Sequence, residues 1–271
     1  MPELPEVETT RRGISAGLMD RCVTAVMVRE VRLRWPVPAD LEQLLVGRRI
    51  RDVRRRAKYL LIDLEHGSLI LHLGMSGSLR LLAPDTPLLA HDHIDIVLDS
   101  GQCLRFNDPR RFGCLLWTQN DPQQHPLLRR LAPEPLENDF HGEYLASAAA
   151  GRKVAIKQLI MNSQIVVGVG NIYASEALFH AGVRPRRAAR SLSLAQFDKL
   201  AAAVKKVLRN AIRAGGTTLR DYVNADGAPG YFRQKLFVYE RADEPCRICQ
   251  TPIKQLKQGQ RSTYFCPKCQ K

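Results

Sequence analysis

The first eight residues, Met-Pro-Glu-Leu-Pro-Glu-Val-Glu, place a proline and three carboxylates at the start of the chain. Removal of the initiator Met leaves Pro2 as a free secondary amine, which is a nucleophile that forms an iminium much as a Schiff-base lysine does. Glu3 is adjacent, and Glu6 follows about one helical turn later. The same residues also suit a helix start, with Pro5 as its first residue and acids at the positive end of its dipole. The octapeptide alone leaves both interpretations open.

A second group with metal chemistry lies near the other end of the chain, where four of the seven cysteines form two Cys-x-x-Cys pairs. Two such pairs supply the tetrahedral four-sulfur site that is typical of zinc. Because protein sulfurs fill all four positions, we predict one structural zinc ion per chain and not a catalytic one. The predicted ligands are Cys246, Cys249, Cys266 and Cys269. The other cysteines, which are expected to be buried thiols, are Cys22, Cys103 and Cys114.

The charge of the chain indicates a polyanionic partner. It has 41 Lys and Arg against 27 Asp and Glu, a net charge of +14, and nucleic acid is the default partner for such an excess. Seven of the eleven residues in 48–58 are basic, and Lys58 ends this run directly before an apolar strand. Residues 244–271 carry six basic residues and one acid, with Arg261 near a predicted hairpin tip. Both stretches are predicted to face phosphates.

Two predicted turns carry residues suited to entering a base stack. Met75 lies between Gly74 and Gly77, where an apolar side chain either folds back onto the core or acts as a wedge. The turn that begins at Asn107 carries Arg110 and Phe112, a combination suited to phosphate contact and stacking. Asn171 stands at a predicted helix start, where free N–H groups favour a phosphate.

The elements that position these residues change in type along the chain. Frequent strands over 22–118 indicate a β-sandwich, with one strand predicted over 22–34. A linker is expected around 130–140, and helical periodicity follows from 153, including a capping box at Ser193 and Gln196. No apolar run is long enough for a membrane span, and the N-terminus is unlike a signal peptide, so a soluble intracellular protein is expected.

Six motifs occur along the chain in a characteristic order. They are the N-terminal octapeptide, Arg56-Ala-Lys-Tyr, His72-Leu-Gly-Met-Ser-Gly, Asp108-Pro-Arg-Arg-Phe-Gly, Val169-Gly-Asn-Ile-Tyr-Ala-Ser-Glu and the four-cysteine module. With these motifs in register over essentially all 271 residues, the chain closely resembles the bacterial formamidopyrimidine-DNA glycosylase family.

The resemblance implies an α+β multidomain fold and a repair activity. The expected domains are an N-terminal catalytic β-sandwich (1–132), a helical domain with a helix–two-turn–helix motif and a lesion-capping loop at 217–231 (133–235), and a zinc finger (236–271). The implied activity is excision of oxidised purines from damaged double-stranded DNA held between the domains, followed by β,δ-elimination at the abasic site. A cytoplasmic monomer without an obligate protein partner is expected.

The resemblance also assigns roles to individual residues. It implies that Pro2 is the nucleophile, that Glu3 opens the sugar and that Glu6 supports them. Lys58 is the implied proton donor, and Arg261 the implied phosphate grip that also assists δ-elimination. The residues implied in DNA contact are His91, Arg110, Arg152, Asn171, Met75 and Phe112. Arg152 departs from the family pattern, because a Lys is common at that position.

Two other functions are compatible with parts of the sequence. The endonuclease VIII branch of the same superfamily acts on oxidised pyrimidines, but Leu4 and the length of the 217–231 stretch favour the purine branch. A non-catalytic zinc-ribbon protein that binds nucleic acid explains the charge and the cysteines. It does not explain the N-terminal Pro-Glu pair in register with Lys58 and Arg261. Cleavage of damaged DNA separates the two classes.

Overall fold

The computed structural model of the protein describes residues 2–217 and 232–271. These residues divide into two compact units. The first comprises residues 2–129 and 214–217, and the second comprises residues 130–213 and 232–271. The three-domain division with boundaries after 132 and 235 is a finer one and stays a prediction.

The first unit opens with helix α1 (Leu4–Leu18), whose buried residues include Leu4, Val7, Ile14 and Leu18. Their spacing of three, four and seven residues gives the helix one apolar side. The elements that follow are β1 (Val23–Val28), α2 (Leu41–Leu45), β2 (Ile50–Arg56), β3 (Tyr59–Leu64), β4 (Gly67–His72), β5 (Ser78–Leu82), β6 (Asp92–Leu98), β7 (Cys103–Asn107) and β8 (Cys114–Thr118).

The strands form two four-stranded antiparallel sheets, with the orders β1-β6-β7-β5 and β2-β3-β4-β8. Apolar side chains from both sheets belong to one core, such as Ile96 and Phe106 from the first and Ile62 and Leu71 from the second. The predicted β-sandwich is confirmed. Its loops, at the strand ends, carry most of the candidate site residues of this unit.

The strand predicted over 22–34 is shorter than expected. It ends at Val28, whose partner in β6 is Ile94. The residue before that partner, His93, instead accepts a backbone hydrogen bond at its carbonyl from Arg29 N–H (2.8 Å). Because β6 begins at Asp92, it has almost no further residues with which β1 could pair. The alternation of apolar and polar residues in 22–34 does not show where the partner strand begins.

The second unit is helical with a terminal hairpin. Its elements are α3 (Gly142–Ala149), α4 (Ile156–Ile160), α5 (Asn171–His180), α6 (Leu194–Arg213), β9 (Lys254–Gln258) and β10 (Arg261–Phe265). The capping box is confirmed at the start of α6, where Ser193 N–H donates to Gln196 Oε1 (3.1 Å) and Gln196 N–H donates to Ser193 Oγ (3.4 Å). Within residues 2–217 and 232–271, no helix is long and apolar enough to cross a membrane.

Candidate active site

The N-terminal residues form a buried cluster at the start of α1. Pro2 is buried two residues before the first helical residue, Leu4, and Glu3 and Glu6 are each 2% exposed. Glu6 Oε2 accepts the backbone N–H of Glu3 (2.8 Å), and Glu6 Oε1 accepts the N–H of Thr217 (2.8 Å). The helix begins at Leu4, so Pro5 occupies its second position and not its first. The predicted helix start is therefore present, and Glu3 and Glu6 lie close to Pro2, whose role as a nucleophile stays a prediction.

Lys58 lies in the two-residue turn between β2 and β3, and hydrogen bonds connect this hairpin to α1. Arg55 Nε donates to Glu8 Oε2 (3.3 Å), and Arg55 Nη1 donates to the carbonyl of Ala57 (2.9 Å). Arg11 adds a hydrogen bond to the carbonyl of Val53 (3.2 Å). The helix that carries Glu3 and Glu6 is thereby connected to the hairpin that carries Lys58.

Glu8 is a part of this site that the sequence did not single out. Burial acts to raise the pKa of Glu8, but hydrogen bonds from Arg11 and Arg12 outweigh it, so the pKa lies below its usual range. Glu8 is therefore a carboxylate at neutral pH. A signal was present in the sequence, since Arg11 and Arg12 follow Glu8 at the three- and four-residue spacings at which helical side chains meet.

His72, at the end of β4, is a second residue that the sequence argument passed over. Its ring lies 4.8 Å from the Tyr59 ring, and its Nδ1 accepts the N–H of Gly74 (2.9 Å). Burial, with smaller contributions from the cations Lys58 and Arg34, lowers the pKa of His72 to about 4. A neutral imidazole therefore lies beside Lys58 and at the base of the loop that leads to Met75.

The predicted wedge residues come together on neighbouring loops. Met75 and Phe112 are 38% and 49% exposed, and Arg110 Nη2 donates to the carbonyl of Met75 (3.3 Å). His91 is exposed, whereas His93 is buried and bonds through Nε2 to the carbonyl of Asp108 (2.8 Å). His91 lies directly before β6, and its ring is 6.1 Å from the ring of His93.

In the second unit, Asn171 and Arg261 lie around a buried cation, Lys157. The Lys157 side chain is 2% exposed, and its Nζ donates to Asn171 Oδ1 (2.7 Å) and to Thr263 Oγ1 (2.7 Å). Lys157 and Arg261 line one groove of about 190 Å³. Arg152 is exposed on the segment that follows α3. Lys157 was missed because one of its partners, Thr263, is 106 residues away in the sequence.

The two units hold separate parts of the predicted site. The first contains Pro2, Glu3, Glu6, Lys58, Met75, His91, Arg110 and Phe112, and the second contains Arg152, Asn171, Arg261 and the four cysteines. Of the predicted lesion-capping loop at 217–231, only Thr217 belongs to the described residues.

The four cysteines form a site that fits zinc. Their Sγ atoms all lie within 4.8 Å of one another, with Cys249 and Cys266 at 3.4 Å and Cys246 and Cys269 at 3.9 Å. A tetrahedron with Zn–S bonds of about 2.3 Å has sulfurs about 3.8 Å apart. The Cys246 and Cys266 side chains are buried in an apolar cluster with Tyr264. Four sulfurs leave no position for a water ligand, so the predicted structural zinc site is confirmed.

Three family models match consecutive parts of the chain. The N-terminal domain of formamidopyrimidine-DNA glycosylase matches residues 1–115, and the helix–two-turn–helix domain of the same enzyme matches residues 131–223. A zinc finger found in this glycosylase and in isoleucyl-tRNA synthetase matches residues 243–271. A β-sandwich, a helical unit and a four-cysteine hairpin in this order define a class of zinc-containing DNA glycosylases.

Full-length relatives agree with these matches. The chain is 58% identical to formamidopyrimidine-DNA glycosylase of Methylococcus capsulatus and 60% identical to that of Thioalkalivibrio sulfidiphilus, each over 271 residues and the whole of both chains. The protein belongs to the formamidopyrimidine-DNA glycosylase family.

Solved structures share the fold over the whole chain. The Thermus thermophilus MutM (Fpg) protein is 39% identical, with a TM-score of 0.88 over 99% of this chain and 98% of that one. The Lactococcus lactis Fpg in complex with DNA that contains an abasic site is 31% identical, with a TM-score of 0.91 over 99% of both chains. A further Lactococcus lactis complex contains N7-benzyl-Fapy-dG in DNA, at 31% identity and a TM-score of 0.91 over the whole of both chains.

Proposed function

We propose that this protein excises oxidised purines, such as 8-oxoguanine and formamidopyrimidines, from double-stranded DNA and then cleaves the abasic site by β,δ-elimination. The observation that carries the proposal is the buried cluster at the start of α1, where Pro2 is followed by Glu3 and Glu6 holds the Glu3 backbone at 2.8 Å. Family membership supports the reaction class. The DNA complexes of the solved relatives, with an abasic site or a modified formamidopyrimidine, support the choice of substrate.

In the proposed reaction, the nitrogen of Pro2 attacks C1′ of the damaged nucleotide once Met1 has been removed. The glycosidic bond breaks, and the departing base takes its electron pair and gains a proton, which balances the N–H proton that Pro2 loses on bonding to C1′. Glu3 gives a proton to the ring oxygen of the sugar, which opens the ring and leaves an iminium between Pro2 and C1′. Lys58 serves as a proton donor near the sugar and its phosphate. Glu6 holds the backbone of Glu3 so that its acid stays beside the amine.

Strand cleavage follows from the same iminium. Loss of a proton from C2′ expels the 3′ phosphate, and a second elimination expels the 5′ phosphate. Arg261, which is exposed at the start of β10, is proposed to neutralise a flanking phosphate and to assist the second elimination. Water then hydrolyses the covalent link and regenerates the amine.

Access to the damaged base requires that it leave the stack. Extrusion costs a few kcal/mol, which contacts to the DNA must offset. We propose that Met75, Arg110 and Phe112 fill the gap in the stack, and that His91, Arg152 and Asn171 contact the backbone. A net charge of +14 supplies the long-range attraction. A substrate of this kind places the activity in the cytoplasm, at the bacterial chromosome.

Borohydride trapping tests this proposal. The protein, with Met1 shown by mass spectrometry to be absent, is mixed with a duplex that carries one 8-oxoguanine opposite cytosine, and the reduced adduct is mapped. We expect the adduct on Pro2, and we expect Pro2→Gly to bind the duplex but to lose most excision. A preparation that retains Met1 is the matched control and forms no adduct at Pro2.

Each outcome separates the candidate functions. An adduct on a lysine keeps the lyase reaction but moves the nucleophile. Intact binding without adduct or cleavage indicates a non-catalytic DNA-binding protein. A panel that includes oxidised pyrimidines distinguishes the purine branch from the endonuclease VIII branch.

A further inference from the structure

The loops that carry the proposed wedge residues touch each other through their backbones. At Gly74, a Cβ atom would lie 2.4 Å from Gly113 N and 2.5 Å from the carbonyl carbon of Phe112, and the φ angle of +64° also favours glycine. Met75 follows Gly74, and Phe112 precedes Gly113. Their exposed side chains therefore project from two segments in direct contact.

A buried carboxylate, Asp108, joins these two segments. It is fully buried, and its Oδ2 accepts the N–H of Gly113 (2.8 Å) while its Oδ1 accepts the hydroxyl of Ser76 (3.3 Å). Its own backbone is held as well, because its N–H donates to the His91 carbonyl (3.1 Å) and its carbonyl bonds to His93 Nε2 (2.8 Å). The carboxylate is therefore fixed in place and bonded to both loops.

Ser76 extends this connection to the third wedge residue. Arg110 Nε donates to Ser76 Oγ (3.2 Å), so the hydroxyl oxygen accepts from the guanidinium while its hydrogen points to Asp108. The other arm of Arg110 donates to the Met75 carbonyl (3.3 Å). The chain Asp108–Ser76–Arg110 thus holds a long, flexible side chain beside Met75 through contacts within the protein.

We propose that Asp108, acting through Ser76, is a positioning residue that assembles Met75, Arg110 and Phe112 into one wedge before DNA is bound. The inference rests on the proposed function of these three residues as gap-filling groups. An extruded base leaves one gap, and the side chains that fill it arrive from two loops. Ordering them in advance removes an entropic cost that would otherwise fall on the step that separates the stacked bases.

The test uses a difference between substrates that a general loss of stability does not produce. Excision of 8-oxoguanine from a duplex needs the wedge, whereas cleavage of an abasic site in a single strand has no paired stack to open. For Ser76→Ala and Asp108→Asn we expect single-turnover excision from the duplex to fall about tenfold or more, and single-strand cleavage to stay within about twofold of wild type. The fluorescence of 2-aminopurine placed next to the lesion should report slower unstacking by the same factor.

Asp95→Asn is the matched control, because Asp95 is a buried carboxylate of the same sandwich whose partners are Arg105 (2.8 Å) and Arg29 (2.6 Å) and not Ser76 or Gly113. It should lower the melting temperature without a difference between the substrates. If Asp108→Asn does not fold, Ser76→Ala alone carries the test, since it removes only a hydroxyl.

Two results would overturn the inference. One is an equal loss on duplex and single strand, which would make Asp108 and Ser76 ordinary fold residues. The other is full duplex excision in Ser76→Ala. Failure of the proposed function looks different, because the wild-type protein would then neither excise 8-oxoguanine nor form an adduct.

Discussion

Glu6 and Thr217 are 211 residues apart in the sequence and are joined by a buried hydrogen bond of 2.8 Å. The second oxygen of the same carboxylate accepts the N–H of Glu3, also at 2.8 Å. One side chain thus fixes the acid proposed to open the sugar and also the residue at which the predicted lesion-capping loop begins. The backbones of Glu3 and Thr217 are therefore linked through one carboxylate.

Glu6→Gln should weaken both functions of this carboxylate. The amide keeps one acceptor oxygen but turns its NH₂ group toward a backbone N–H, and one unsatisfied buried donor costs about 1–3 kcal/mol. We expect a loss of stability of this size in urea unfolding, together with slower borohydride trapping at an abasic site. Glu65→Gln, which breaks the exposed pair with Arg51, is the control and should cost less than about 1 kcal/mol. Unchanged trapping in Glu6→Gln would show that Glu3 is held by other contacts.

The local parts of this architecture were predictable, because periodicity and spacing carry them. The alternation of apolar and polar residues predicted the sandwich, and the two Cys-x-x-Cys pairs predicted the zinc site. The capping box of Ser193 and Gln196 predicted the start of α6. The buried polar links were not predictable. The hydrogen bond between Lys157 and Thr263 joins residues 106 positions apart, and the one between Ser76 and Asp108 joins residues 32 positions apart. No pattern of hydrophobicity indicates which distant acceptor a buried donor will bond.

Arg55→Met should separate the position of Lys58 from its charge. The guanidinium of Arg55 connects Glu8 on α1 with the carbonyl of Ala57, directly before Lys58. Methionine keeps the volume and removes both hydrogen bonds. A displacement of about 1 Å in a reacting group costs about 100-fold in rate, so we expect a loss of single-turnover excision between about tenfold and that limit. Arg51→Met, on the same strand, serves as the control. Equal losses in the two variants would mean that Arg55 contributes only its positive charge and does not position Lys58.

Lys157→Met should weaken DNA binding through the groove that Lys157 lines with Arg261. The substitution leaves Asn171 Oδ1 and Thr263 Oγ1 without their donor, and unpaired buried polar groups cost about 1–3 kcal/mol each. We expect the dissociation constant for a duplex with an abasic-site analogue to rise about tenfold or more. Lys254 is an exposed cation on β9, in the hairpin that also carries Arg261. Lys254→Met should change the dissociation constant far less. Equal effects would mean that only net charge matters.

Removal of zinc should unfold the hairpin, since four thiolates without a metal ion lose the main interaction that holds β9 and β10 in place. A chelator is expected to release one zinc ion per chain, measured with a colorimetric dye, and to abolish duplex binding. The spectroscopic signal of the β-sandwich should persist, because its core contains none of the four ligands. If the protein still binds duplex DNA after complete zinc release, the hairpin is not its main DNA-binding element.

His72 should make the protein less stable in acid, because burial and nearby cations lower its pKa to about 4. A group with a lowered pKa contributes stability that is present above its unfolded value, near 6.5, and is lost as the pH falls toward 4. A lowering of the His72 pKa from near 6.5 to about 4 corresponds to about 3 kcal/mol of stability. In His72→Asn, the amide oxygen can still accept the Gly74 N–H but has no proton to gain. The variant should therefore lose less stability than wild type between pH 6.5 and 4, as measured by urea unfolding at each pH. Zinc release affects both proteins alike, so the difference between them isolates His72, and parallel curves would mean that its protonation does not oppose folding.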